Sequence, residues 1–185
     1  MAACCVAAES ARAQSADRLE IGAQVTAMRL SGIDAADAGV GGRIAWRLTD
    51  ALAFEAVSDF FPTGRYVVAR GGRKFHALFG PKIGRRAARV GVFAKTRVGV
   101  ARVGEGRQVG ACILIYPPPE GCYAGETRLA FDFGGGVEVY PYARSGLRVD
   151  VGSLVTRLGA SSARFGRRGD FAHDLQVAAG FGLRF

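Results

Sequence analysis

The feature that most constrains this chain is its final stretch, DLQVAAGFGLRF, residues 174–185. Leu175, Val177, Ala179, Phe181, Leu183 and Phe185 form an unbroken apolar set. Asp174, Gln176, Ala178, Gly180, Gly182 and Arg184 lie between them. A period of two describes a strand whose two faces meet different surroundings. The same rhythm runs back through the sequence. Leu19, Ile21, Ala23 and Val25 oppose Glu20, Gly22 and Gln24. Val40, Ile44, Trp46 and Leu48 oppose Gly41, Arg43, Ala45 and Arg47. Leu52, Phe54 and Ala56 oppose Ala53, Glu55, Val57 and Asp59. Further segments follow at Phe75–Ile83, Val90–Val100, Leu129–Val139 and Leu147–Val151.

The connections alternate in length. Residues 30–38, 61–72, 103–125 and 155–172 are long and rich in Gly or Arg, whereas 49–50, 84–88 and 140–142 are short. Strands of about ten residues joined by long and short links in turn describe an up-and-down meander with two unlike ends. The expected fold class is therefore all-β, an eight-stranded antiparallel up-and-down transmembrane β-barrel over residues 18–185. Composition agrees. The chain holds 27 glycines and 6 prolines with no collagen-like period, its hydrophobic fraction of 49% argues against disorder, and no apolar run reaches the roughly 18 residues of a membrane helix.

Which solvent the apolar faces meet is decided by side-chain size and charge. A soluble, lipocalin-like barrel would turn Trp46, Phe54, Phe75, Phe79, Phe131, Phe133, Phe181 and Phe185 inward and give water the glycines. An eight-stranded interior is too narrow for that many rings. The reverse places small residues and charges of both signs inside. Glu20, Arg43, Arg47, Glu55, Asp59, Lys82, Lys95, Arg97, Asp132, Glu138, Arg148, Asp150 and Arg184 all share the non-lipid phase. They form the expected luminal charge network. A slip of one residue would move them into hydrocarbon, at about 2–4 kcal/mol for each Arg or Lys near the midplane. In lipid the sheet has to close, because an open edge leaves backbone groups unpaired.

On these segments, above all FGPKIGRR, VFAKTRVGVAR, FDFGGGVEVYPYARSGLRVDVGSLVTRLG and LQVAAGFGLRF, the chain resembles the small outer-membrane β-barrels of the OmpA/OmpX type. The resemblance implies an outer-membrane location in a Gram-negative-type bacterium, with both termini periplasmic. It also implies that Phe181, Leu183 and Phe185 act as the insertion signal read by the barrel-assembly machinery. Pro81 inside a strand and the lack of a following peptidoglycan-binding segment depart from the larger relatives.

Residues 1–13 read as the remainder of a secretion signal, with Ala11-Arg12-Ala13 matching an A-x-A cleavage site, or alternatively as a disordered N-terminus. Cys112 and Cys122 bracket a Pro-rich loop and are either a short disulfide or free thiols. No cofactor or metal is expected.

The formal charge is +9 and the pI about 10.0. Arg65, Arg70, Arg73, Lys74, Arg102, Arg107, Arg157, Arg164, Arg167 and Arg168 fall in the long connections. There they form either a plain basic surface or a rim for lipopolysaccharide phosphates. Spread over several loops, they do not suit nucleic acid. The expected function is a monomeric, membrane-embedded structural or interaction scaffold with surface loops and no open general pore. An outer-membrane enzyme with a site near His173, Asp174, Ser161 and Ser162, and a soluble ligand-binding barrel, are the alternatives. His76, in the luminal phase, is expected to hydrogen-bond within the lumen.

Overall fold

A computed structural model describes residues 18–30, 36–65, 70–87, 89–104, 126–157 and 171–185. Their regular elements are all strands: β1 (Leu19–Arg29), β2 (Ala36–Arg47), β3 (Leu52–Arg65), β4 (Arg70–Ala87), β5 (Val90–Val103), β6 (Glu126–Tyr142), β7 (Ser145–Arg157) and β8 (Phe171–Arg184). Each pairs antiparallel with its neighbour in sequence, and β8 returns to β1, closing the barrel. At the seam Gly22 faces Gly182 and Ala23 faces Phe181. Phe185 donates its N–H to the Leu19 carbonyl and accepts from the Leu19 N–H, so the chain end is stitched into the ring.

Arg18, Phe185 and residues 48–51, 89 and 143–144 lie at one end, and the strand ends at Arg29, Ala36, Arg65, Arg70, Val103, Glu126, Arg157 and Phe171 at the other. The 48–51 turn is held by Thr49, whose hydroxyl accepts from the N–H groups of Ala51 and Leu52.

Several boundaries differ from those read along the sequence. Strands β3 and β4 run through most of 61–72, leaving 66–69 as their connection, and β4 continues to Ala87. Tyr140, Pro141 and Tyr142 are not a turn. They lie in β6, which shifts register after Val139, and the chain reverses at Ala143–Arg144. Turn-type residues were outweighed here by the pairing of Tyr142 with Ser145 of β7 and by the bond from the Tyr140 N–H to the Arg89 carbonyl. Pro81 is tolerated because it pairs with Phe54 on the β3 side. On the β5 side, where it has no N–H to give, the ladder skips from Phe79–Val98 to Lys82–Lys95.

The two faces differ sharply in their charges. Between Val90 and Val100 the outward face of β5 is apolar apart from Thr96. Ten steps of about 3.3 Å, tilted by about 40°, give a band about 25 Å tall. Trp46 and Phe133 on the outside are 50% and 51% exposed, while Arg43 and Asp132 inside are 3% and 0%. Among the described residues, Arg85, paired with Val92 near the lower edge, is the one formally charged side chain that faces outward within this band. Arg29, Arg73, Arg102 and Arg157 stand at its upper edge.

Candidate functional site

Among the described residues, chemistry-bearing side chains converge in the interior of the barrel, and alternation along each strand delivers them there. Glu55 on β3 receives the Arg97 Nη1 at 3.1 Å and the Arg148 guanidinium through both of its terminal nitrogens. Arg97 continues to Asp132 through its Nε at 2.7 Å and through Nη2. Lys95 joins Asp132 at 3.5 Å to Asp150, and Arg148 closes the circuit on Asp150 with its Nε at 2.8 Å. Glu55, Arg97, Asp132, Lys95, Asp150 and Arg148 thus form a closed ring of ion pairs that reaches across the lumen from β3 to β7.

Lys82 and Glu138, 2.7 Å apart, attach to this ring through Arg148, 3.7 Å from Glu138. Four cations therefore meet four anions, and the cluster is neutral. Phe93 lies beneath it, with the Arg148 guanidinium 4.2 Å and the Lys82 ammonium 5.2 Å from its ring centre. A second group ties the seam. Glu20 on β1 accepts from Arg43 Nη2 on β2 at 2.7 Å and from Arg184 Nε on β8 at 3.1 Å.

Glycine makes this density possible. A Cβ built on Gly182 would lie 2.7 Å from Arg43 Nη2 and 2.9 Å from Glu20 Oε1, inside the seam pair. One built on Gly134 would lie 2.1 Å from the Val151 carbonyl oxygen and 2.5 Å from the Gly152 Cα, so β6 and β7 pass too closely there for any side chain. Gly134→Ala is expected to lower stability by about 1–3 kcal/mol through overpacking. A drop in the urea midpoint of the refolded protein would register it, and an unchanged midpoint would refute the close approach.

Above the charged ring the lumen changes character. Met28, Phe61, Leu78, Ala101, Ala130 and Leu154 form a buried apolar cluster, against which Leu30 packs. Sequence reasoning missed this plug: Phe61 was assigned to a loop, and the aromatic residues were placed outside. The available signal was that Met28, Leu78 and Leu154 share the phase of the luminal charges. Beyond it, Lys74 reaches Asp37. Lys74 is thus a buried luminal residue on β4 and not part of the loop rim, because β4 begins earlier than expected.

Tyr140, likewise expected in a turn, is buried at the lower mouth. Its hydroxyl donates to Glu138, and its ring lies 4.0 Å from the Arg86 and 3.7 Å from the Arg184 guanidinium. Asp59 accepts from Gln24 and Thr26, each at 2.9 Å. His76 does not make the expected hydrogen bond through Nδ1, which has no partner among the described residues; its ring packs against Phe61 at 5.1 Å.

Arg47 is only half-buried, at the lower end of β2. His173 and Asp174 point to opposite sides of β8, His173 outward and Asp174 inward, so they do not form an acid–base pair. Ser161 and Ser162, the cysteines Cys112 and Cys122, residues 1–13, and Arg107, Arg164, Arg167 and Arg168 lie outside the described residues. Among those that are described, no cluster of three or more His, Cys, Asp or Glu side chains could hold a metal ion.

A closed ring of eight antiparallel strands, apolar outside and ion-paired inside, can be compared directly with solved structures. Neisserial surface protein A matches with a TM-score of 0.58 at 13% identity, covering 90% of this chain and 97% of its own. The N-terminal β-barrel domain of Pseudomonas aeruginosa OprF gives 0.54 at 13% identity, over 90% and 97%. Ail, the attachment invasion locus protein of Yersinia pestis, solved with the heparin analogue sucrose octasulfate, gives 0.53 at 13%, over 91% and 97%.

The chain has the fold of the eight-stranded outer-membrane barrels.

No family model and no curated protein matches the sequence. What this chain shares with the outer-membrane barrels is their architecture, with its own set of luminal side chains.

Proposed function

We propose that the protein is an outer-membrane barrel of a Gram-negative-type bacterium, monomeric, acting as a structural or interaction scaffold whose surface connections meet the exterior, and that its lumen does not serve as a general pore. The observation that carries this reading is the segregation of charge, with an outward apolar band about 25 Å tall around a lumen that holds the Glu55–Arg148 ring and the Phe61 plug. A soluble ligand-binding barrel requires the opposite orientation of Trp46 and Arg43. For an enzyme centred on His173, the adjacent Asp174 faces the other side of β8.

Membrane fractionation followed by gel migration with and without heating tests the location. A heat-modifiable band in the outer-membrane fraction is expected, and release into the soluble fraction without detergent would overturn the reading. In planar bilayers the purified protein is expected to show no steady conductance, a reading supported by the buried ring and plug that share the lumen.

Phe181, Leu183 and Phe185 face outward in phase at the end of β8, as an insertion signal would require. Phe185→Ala is expected to reduce the amount assembled in cells severalfold while refolding from urea into detergent proceeds normally. A defect of equal size in both assays would mean that Phe185 serves the folded barrel and not its recognition by the assembly machinery. Arg73, Arg102 and Arg157, exposed at the upper edge, suit the phosphates of lipopolysaccharide.

A further inference from the structure

The end of the barrel that carries the termini holds an excess of unpaired positive charge that neither the lumen nor the scaffold role uses. Among the described residues, Arg18, Arg47, Arg85, Arg89 and Arg144 stand there, with Asp50 as the one described acid of that rim outside the lumen. Backbone bonds gather them. Arg47 donates its N–H to the Arg18 carbonyl at 2.8 Å, Tyr140 to Arg89 at 2.7 Å, and Arg184 to Arg144 at 2.9 Å.

The contrast with the interior is sharp. Luminal cations are matched by carboxylates within 4 Å, whereas Arg18, Arg47, Arg85, Arg89 and Arg144 form no ion pair with any described residue. Arg86 is drawn to the Tyr140 ring. The rim is also continuous with the apolar band. Arg85 faces outward two positions beyond Ile83 on β4, and Trp46, Leu48, Tyr142 and Phe185 are exposed towards the same end of the barrel. Guanidinium groups directly beyond a belt of exposed aromatic and aliphatic side chains are placed where headgroup phosphates begin.

We propose that this rim selects anionic phospholipid headgroups in the leaflet at the termini end, with Arg18, Arg47, Arg85, Arg89 and Arg144 as the phosphate-binding groups. The proposal rests on the membrane reading above. Its chemistry is charge complementarity: these five guanidinium groups, which outnumber the described carboxylates of the rim, attract anionic over zwitterionic lipid, each cation contributing through charge and bidentate hydrogen bonding to phosphate oxygens. Free inorganic phosphate shares that chemistry but lacks the acyl chains that the adjoining apolar band would hold.

Trp46 is the only tryptophan and lies beside Arg47 at the lower edge of the band, which makes it a local reporter. The protein is refolded into vesicles in which either phosphatidylglycerol or phosphatidylcholine is brominated, and quenching of Trp46 is measured for each. A preference of about fivefold for phosphatidylglycerol is expected at low salt, the equivalent of one well-placed cation. It should vanish near 1 M salt, where the screening length is about 3 Å. It should also fall to near unity in the combined variant Arg18→Gln, Arg47→Gln, Arg85→Gln, Arg89→Gln, Arg144→Gln. Millimolar phosphate should leave it unchanged if lipid is the ligand, and abolition by phosphate would mean a site for the free anion instead.

Equal quenching by both lipids at low salt, or a preference that survives the combined variant, would overturn the proposal while leaving the barrel in the membrane. Absence of quenching by either lipid would instead overturn the membrane reading itself. Should the combined variant fail to refold, the salt titration of the unaltered protein decides the question.

Discussion

Replacing Glu55 with alanine is expected to destabilise the folded barrel by about 3–5 kcal/mol, the usual consequence of removing one partner from a buried charge network. Glu55 is fully buried and is the only link in the luminal ring that holds two guanidinium groups, Arg97 on β5 and Arg148 on β7. Its removal leaves both cations with less negative charge than they need, in a space where water cannot replace it. Equilibrium unfolding in urea from lipid vesicles would measure the loss. The double variant Glu55→Leu, Arg148→Met should recover much of it, because removing a charge together with its counter-charge relieves the unpaired state. A loss below 1 kcal/mol, or a double variant worse than the sum of its parts, would show that the ring contributes little.

Placing an arginine at Val25 should cost about 2–4 kcal/mol in a bilayer, the depth-dependent penalty for a cation near the midplane. Val25 is exposed on the outward face of β1, with Ile21 and Ala23 below it and Ala27 and Arg29 above. The same substitution at Phe171, which starts β8 at the upper edge, should cost only about 0–1 kcal/mol for the charge itself. The difference between the two positions is the measurement. It cancels the general effect of introducing arginine and reports where the apolar solvent lies. A barrel whose outer face met water would show no such gradient, and Val25→Arg would improve its solubility.

Most of the architecture was legible along the chain, and for one reason. Alternation is a property of a single strand, so the phase of Glu55, Arg97, Asp132 and Arg148 can be read without knowing any neighbour. The opposite content of the two phases then indicates which face is enclosed, since an eight-stranded interior has no room for Trp46, Phe79 and Phe133 together. Strand ends were less legible. Phe61 and Tyr140 lie next to Pro62 and Pro141, residues that mark turns in isolation, and the hydrogen bonds offered by adjoining strands outweighed that local signal.

What the sequence determined by itself was the sorting of side chains between two faces and the necessity of closure, both consequences of local periodicity and of backbone groups that have to find partners. What only the tertiary structure decided was who meets whom across the lumen. Glu55 finds Arg148, Glu20 bridges Arg43 and Arg184, Met28 joins Phe61 and Leu154, and Arg86 and Arg184 settle on Tyr140. Those partnerships depend on the stagger and tilt of the closed sheet, which place residues from strands far apart in sequence at the same height, and no single strand carries that information.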